Sequence, residues 1–102
     1  MDARFLANPF WEEDLKNLTG LDKKVQDFVL HQDGAERFAK TINELINTTT
    51  PGYVREGKKY VTVAIGCTGG KHRSVTISEK VAQQLLADGA KVRVVHRDLG
   101  KE

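Results

Sequence analysis

The stretch Tyr60-Val61-Thr62-Val63-Ala64-Ile65, followed at once by Gly66-Cys67-Thr68-Gly69-Gly70-Lys71-His72-Arg73-Ser74, decides the predicted fold. Its first six residues are mostly β-branched or apolar, which is typical of a central parallel strand covered on both faces. The glycine pair then allows a tight turn, and residues 74–88 carry apolar side chains at helical spacing. The sequence therefore predicts a strand, a glycine-rich loop and a helix in direct succession.

Further elements are predicted on both sides of this unit. Residues 2–6 form a short strand candidate that Asn8-Pro9 ends, because proline removes a hydrogen-bond donor and restricts the residue before it. Residues 91–97 alternate charged and apolar side chains, as expected of a strand near a sheet edge.

Two helices are predicted between the first and second strands. The first carries an apolar face of Leu21, Val25, Phe28 and Val29. The second is expected to begin near Asp33, to bury the apolar positions 35, 38, 39, 42, 45 and 46, and to break or kink at Pro51.

The resulting order is β-α-α-β-α-β. Strands that alternate with helices predict an α/β fold, a small parallel sheet with right-handed crossovers and helices packed on it. Ligands of such sheets bind at the carboxyl ends of the strands, where residues 66–74 would lie. A chain of 102 residues has room for one such domain.

Composition narrows the class of protein. The net charge of +2 is too small to indicate a nucleic-acid-binding protein by itself, and one cysteine can form neither a disulfide within the chain nor a cysteine-rich metal site. No apolar run is long enough for a membrane span, and the N-terminus lacks the apolar core of a signal peptide. We expect a cytoplasmic protein with no metal site and no membrane partner.

The loop combines the features of an anion site. Its glycines let the backbone approach a ligand, and the following helix presents unpaired N–H groups and a favourable dipole. An arginine adds a guanidinium that can bind a phosphate through two hydrogen bonds. The candidate ligand-binding residues are Cys67, Thr68, Gly69, Gly70, Lys71, His72, Arg73 and Ser74.

A catalytic interpretation of the same spacing stays open. Cys67 and Arg73 satisfy the C-x5-R pattern of cysteine-dependent phosphatases, in which a thiolate attacks phosphorus while the arginine holds the oxygens. Against it, Gly66 stands where such enzymes usually place histidine. The general acid would have to be Asp14 or Asp98, and nothing in the sequence connects either to the loop. We therefore expect no enzymatic activity, with the phosphatase as the alternative.

Four motifs together resemble the C-terminal domain of the RapZ family, over essentially all 102 residues. The long central motif is highly specific. The four motifs are Asp2-x-Arg4-Phe5-Leu6-x-Asn8-Pro9, Thr19-Gly20-Leu21-Asp22, the run from Ala64 to Val75, and His96-Arg97.

The resemblance implies a domain taken from a longer chain. RapZ-like proteins join an N-terminal P-loop domain, which binds ATP or GTP, to a C-terminal domain like this one, and they form homo-oligomers. No Walker A motif occurs here, so no nucleotide cofactor is expected in this domain. In the best-known members the C-terminal domain senses glucosamine-6-phosphate, and it binds a small regulatory RNA and presents it to an endoribonuclease. The resemblance therefore implies a non-catalytic sensor and adapter.

The resemblance also assigns site residues. It supports a phosphosugar loop, with Arg4 and Asn8 closing the pocket from the first strand. The loop residues that it supports are Cys67, Thr68, Gly69, Gly70, His72 and Arg73. Some relatives have histidine where this chain has Phe10, which cannot donate a hydrogen bond, so the identity of the sugar is left open.

RNA binding depends on a different set of residues. RNA-binding members of the family end in a basic cluster, whereas this chain ends Leu99-Gly100-Lys101-Glu102. The remaining basic candidates are Lys91, Arg93 and Arg97, and no aromatic residues for base stacking are interleaved with them. A purely RNA-binding module is the second alternative.

Overall fold

In the computed structural model, residues 1–101 are described, and they form a helical domain. A short 3-10 helix, Pro9–Trp11, precedes three α-helices: α1 (Lys23–Leu30), α2 (Ala35–Arg55) and α3 (Arg73–Ala87). Helix α3 packs against both α1 and α2. No helix within residues 1–101 is long and apolar enough to cross a membrane.

The core lies between the three helices and the folded N-terminal segment. Its helical members stand at the spacing of one buried face, as in α1, where Val25 and Val29 are fully buried. The N-terminal segment contributes Ala3, Leu6 and Leu15. The remaining members of the cluster are Ala35, Ala39, Ile42, Ile77, Val81 and Leu85.

The helices confirm the periodicity and correct the boundaries. Helix α1 begins after Leu21, which is half exposed rather than buried. Helix α2 begins after Gly34 and not at Asp33. Gly34 has a φ of 86° and is the residue that turns the chain. Helix α2 also continues through Pro51 to Arg55 instead of ending there. Helix α3 matches the predicted residues 74–88 to within one residue at each end.

The prediction of an α/β fold with a small parallel sheet is wrong. No β-strand forms within residues 1–101, and the only trace of parallel pairing there is an isolated bridge between Asp2 and Gly66. The amide of Gly66 donates to the carbonyl of Met1 and the amide of Ala3 donates to the carbonyl of Gly66, each at 2.7 Å. The ladder extends no further.

Local turns explain why the ladder stops. The amide of Leu6 donates to the carbonyl of Ala3 at 3.3 Å, and the amide of Arg4 donates to the Asp2 carboxylate at 2.9 Å, so the chain bends away after one bridge. Residues 60–65 and 91–95 have no backbone hydrogen bond to each other. A β-branched sequence favours extended backbone, but a strand also requires a neighbour that continues the ladder.

Candidate functional site

The glycine-rich loop connects the segment of residues 60–65 to α3, as the sequence predicts. Gly69 and Gly70 have φ values of 80° and 65°, a region that favours glycine, and they turn the chain into the first turn of α3. A Cβ on Gly70 would lie 3.0 Å from Cβ of Asp98. The loop therefore packs tightly against the turn that follows residues 91–95.

Cys67 lies at the entrance to α3 with its sulfur directed at Ser74. Its Sγ is 3.3 Å from the Ser74 amide, which donates to it, and 3.2 Å from the Ser74 hydroxyl. Partial burial raises the pKa of the Cys67 thiol. Hydrogen bonds from the hydroxyl and amide of Ser74 and from the Gly70 amide, together with the Arg73 charge, outweigh that effect and leave the pKa below its ordinary value.

Arg73 is a buried residue that fixes the N-terminal segment. Arg73 is the first residue of α3, and it is 5% exposed. Its Nη1 donates to the carbonyl of Leu6 at 2.9 Å and to the carbonyl of Arg4 at 3.3 Å. Its Nε is buried and has no hydrogen-bond partner among the described residues. Part of the guanidinium predicted to bind a phosphate is thus already committed to two backbone carbonyls.

His72 is also buried, at 4% exposure, and its Nε2 has no partner within residues 1–101. Burial lowers the pKa of His72, and the neighbouring positive charge of Lys71 lowers it further. The backbone carbonyls of Leu18, Lys16 and Leu15 oppose these effects without cancelling them. The ring therefore favours the neutral form and packs the loop onto the segment before α1.

Lys71 joins the loop to the same segment through its backbone. Its carbonyl accepts a hydrogen bond from the amide of Gly20 at 2.9 Å. A Cβ on Gly20 would lie 2.6 Å from the carbonyl oxygen of His72 and 2.6 Å from Cβ of Val75. Glycine is the residue that allows this approach, a role that the Thr19-Gly20-Leu21-Asp22 motif did not reveal.

The two candidates from the N-terminal segment lie in different places. Arg4 is exposed beside the loop and forms a two-point ion pair with Asp2, at 2.7 and 3.0 Å, which lowers the pKa of Asp2 to about 2. Asn8 instead caps the 3-10 helix, where its Oδ1 accepts a hydrogen bond from the Phe10 amide at 3.1 Å. Asn8 does not line the cleft beside the loop, whereas Arg4 does.

An open cleft of about 1530 Å³ separates residues 59–66 from residues 91–98. The loop and the first turns of α3 lie along it through Cys67, Thr68, Gly70 and Ser74. Five cationic side chains line it against two carboxylates, Asp2 and Asp98, so the cleft is positively charged. The cationic residues are Arg4, Lys59, Lys91, Arg93 and Arg97.

Three of these cations have no ion-pair partner within residues 1–101: Lys59, Lys91 and Arg93. Arg97 is paired with its neighbour Asp98 at 3.0 Å. The structure thus brings the predicted RNA-binding residues into one cleft with half of the predicted phosphate loop, and leaves Gly69, Lys71, His72 and Arg73 outside the cleft lining. Lys59 was missed because it stands with Lys58 before the apolar run, outside the motifs from which site residues were predicted.

Two more residues were not assigned a role from the sequence, His96 at the cleft and its partner Glu79 outside the cleft lining. His96 lines the cleft, and its Nε2 lies 3.1 Å from Oε1 of Glu79 on α3. No group of three or more His, Cys, Asp or Glu side chains suited to a metal ion occurs within residues 1–101.

Comparison with known proteins assigns the family. The family model of the RapZ C-terminal domain matches residues 1–100. Similar relatives include nucleotide-binding proteins of Parafrankia sp. (55% identical over 101 residues), Streptomyces coelicolor (54% over 102 residues) and Rhodococcus jostii (56% over 102 residues). The matches cover 99–100% of this chain but 34–35% of each relative, so the chain spans about a third of their length. The chain therefore belongs to the family of RapZ C-terminal domains.

Proposed function

We propose that this domain is a non-catalytic sensor that binds a small phosphorylated metabolite at the Cys67–Ser74 loop. The observation that carries the proposal is the convergence of an excess of cationic side chains and a glycine-rich helix entrance on one open cleft. Loop amides and the α3 dipole favour negative charge, and nearby lysine and arginine side chains can supply further donors.

The proposed ligand belongs to a narrower class than anions in general. Membership of the RapZ family favours a phosphorylated amino sugar of the glucosamine-6-phosphate type. The cleft has room for the sugar next to the phosphate, and its carboxylates Asp2 and Asp98 supply acceptors for hydroxyl or ammonium groups. Phe10 is 44% exposed and packs edge-on against Trp11, which leaves it outside the lining of the cleft.

In the full-length protein, the sensor would act on partners. We expect a cytoplasmic homo-oligomer whose P-loop domain, outside this chain, binds ATP or GTP, a role in keeping with the relatives' name of nucleotide-binding protein. The exposed Lys91, Arg93 and Arg97 are the residues from which this domain would contribute to binding a small RNA or an endoribonuclease.

The proposal is tested by NMR titration of the domain with glucosamine-6-phosphate, inorganic phosphate and a short RNA. The sugar phosphate is expected to shift amides of residues 67–74 at lower concentration than phosphate alone. Arg93→Ala should weaken binding about threefold to tenfold, because it removes an unpaired cation from the cleft. Arg37→Ala is the matched control, since Arg37 is exposed on α2 away from the cleft.

Shifts centred outside residues 66–74 would overturn the sensor proposal. Binding of RNA alone, with shifts at Arg93 and Arg97 that fade as salt rises, would favour the RNA-binding module instead.

A cysteine-dependent phosphatase is the second candidate, and the hydrogen bonds that lower the Cys67 pKa favour it. Arg73 argues against it, because its Nη1 donates to the Arg4 and Leu6 carbonyls. Hydrolysis of an aryl phosphate that is lost in Cys67→Ser would establish this activity. The sensor proposal expects no turnover by either protein.

A further inference from the structure

One wall of the cleft, residues 91–98, carries Lys91, Arg93 and Arg97 and is called the cationic wall below. Few hydrogen bonds hold it in position. Residues 91–95 form no backbone ladder with residues 59–65. At their start, the amides of Gly89 and Ala90 donate to the carbonyls of Leu86 and Leu85 at the end of α3, at 3.1 and 3.0 Å. These bonds fix where the segment leaves α3 but not where its far end lies.

The far end is fixed by the contact between His96 and Glu79. His96 Nε2 lies 3.1 Å from Glu79 Oε1, and the His96 side chain is 14% exposed. An ionised carboxylate only accepts hydrogen bonds, so in this contact Nε2 of His96 is the donor and Oε1 of Glu79 the acceptor. Glu79 is the seventh of the 15 residues of α3, so the contact brings residues 91–96 back alongside the N-terminal half of that helix.

Residues beyond His96 then pack onto the loop. The amide of Leu99 donates to the carbonyl of His96 at 3.4 Å, which forms a turn that carries Arg97 and Asp98. Cβ of Asp98 lies only 3.0 Å from where a Cβ of Gly70 would stand. A shift of His96 would therefore move this turn away from Gly70.

We infer that Glu79 is a positioning residue of the anion site: it holds His96 and thereby sets the turn of residues 96–98 against the Gly70 loop. The inference rests on the proposed function of the cleft. It assigns Glu79 no contact with the ligand, because Glu79 does not line the cleft. Its effect on affinity is transmitted through His96 alone.

A double-mutant cycle tests this coupling. Glu79→Ala and His96→Ala are each expected to weaken binding of glucosamine-6-phosphate about threefold to tenfold, and the double variant by about the same factor as one of them. Multiplying effects would mean that the two residues act independently, and would overturn the inference. Glu79→Gln keeps a side-chain oxygen that can accept the hydrogen bond from Nε2, and it should recover most of the affinity.

The control is an ion pair formed by the neighbouring residue of α3. Lys80, next to Glu79, lies 3.6 Å from Glu36 of α2. Glu36→Ala removes that contact and should leave the affinity unchanged. If Glu36→Ala lowers both the melting temperature and the affinity as much as Glu79→Ala does, the role of Glu79 is merely structural. That result would overturn the inference.

Ligand-free spectra separate this inference from the proposed function. In Glu79→Ala the amide signals of Gly70 and of residues 96–99 should shift together, while those of α1 stay in place. Unchanged signals at Gly70 would overturn the positioning role whether or not the cleft binds a sugar phosphate. Shifted signals in a domain that binds no sugar phosphate would refute the proposed function and, with it, the assignment of Glu79 to an anion site.

Discussion

Gly20 is the point at which the segment before α1 touches the first turn of α3. Its φ is not in the region that requires glycine, so the constraint is one of space. A Cβ there would lie 2.6 Å from the His72 carbonyl oxygen and 2.7 Å from the Thr76 amide nitrogen. Because backbone atoms form this contact, no side-chain rotation can relieve it.

Gly20→Ala is expected to lower the free energy of unfolding by about 1–3 kcal/mol through overpacking. Urea denaturation measures it. Gly52→Ala serves as the control, since Gly52 is in α2 with only the Arg55 side chain within 4 Å. There alanine should stabilise by about 0.5–1 kcal/mol. Equal effects of the two substitutions would refute the close approach at Gly20.

At Cys67, the balance between burial and hydrogen bonding can be measured through thiol reactivity. The pKa of Cys67 lies below its ordinary value, so the thiolate forms at a lower pH than in an unfolded chain. Ser74→Ala removes one of the two Ser74 contacts, and the midpoint of iodoacetamide labelling against pH should rise. Thr68→Ala is a matched control, and an unchanged midpoint in Ser74→Ala would contradict the assignment.

His72 predicts a pH dependence of stability. Burial lowers the folded-state pKa of His72 below its ordinary value of 6.5, so the unfolded chain takes up a proton first as the pH falls. The free energy of unfolding should therefore decrease as the pH falls below about 6.5, until the folded-state pKa is passed. In His72→Gln the decrease should be smaller. An equal slope in both proteins, measured by denaturation at several pH values, would assign the effect to other groups.

Among the elements, α2 shows how a helix continues through proline. Pro51 has no amide proton to donate to the preceding turn, yet the helix extends to Arg55. The hydroxyls of Thr48 and Thr50 donate to the carbonyls of Glu44 and Ile46 at 2.7 and 2.6 Å. The sequence Thr48-Thr49-Thr50-Pro51 predicts an end or a kink, and the structure shows that residues 51–55 remain helical.

Pro51→Ala is expected to stabilise the protein by about 1 kcal/mol or more, because a missing backbone hydrogen bond is restored in an exposed helix. Thermal unfolding measures the gain, and hydrogen exchange should slow at residues 51–56. A loss of stability would contradict the prediction, because it would mean that Pro51 stabilises the last turn of α2.

For the whole molecule, the cleft is a consequence of the missing sheet. Residues 60–65 and 91–95 run as separate walls, and Val61, Val63, Val94 and Val95 remain substantially exposed. The open space between the walls is the one that the cationic side chains line. The lack of pairing between these two segments therefore explains both the absence of a sheet within residues 1–101 and the presence of the cleft.

Hydrogen exchange distinguishes this arrangement from a sheet. The amides of residues 60–65 and 91–95 donate no hydrogen bond within residues 1–101, so they should exchange orders of magnitude faster than the core amides of α3. Gly66 is an internal control, since its amide donates to the Met1 carbonyl at 2.7 Å. Slow exchange throughout both segments would show that they pair.

Whether a structural feature could be predicted from the sequence depends on how far apart in the chain the residues that form it are. Helical periodicity involves residues three or four apart, so α1, α2 and α3 were predictable, and so were the glycine turn at residues 69–70 and the family. The partner of Arg73 was not, because the guanidinium binds carbonyls 67 and 69 residues away. The cap formed by Asn8 was missed for another reason, since the motif suggested a ligand instead.

By itself the sequence determined the helices, the loop that enters α3 and the charged residues available to it, because local spacing and residue chemistry set these. Only the tertiary structure decided that residues 60–65 stay unpaired, that Arg73 is buried against the N-terminal segment, and that Glu79 reaches His96. The physical reason is that strand pairing, burial and long-range hydrogen bonds depend on which partner arrives in space, and neither residue type nor periodicity specifies that partner.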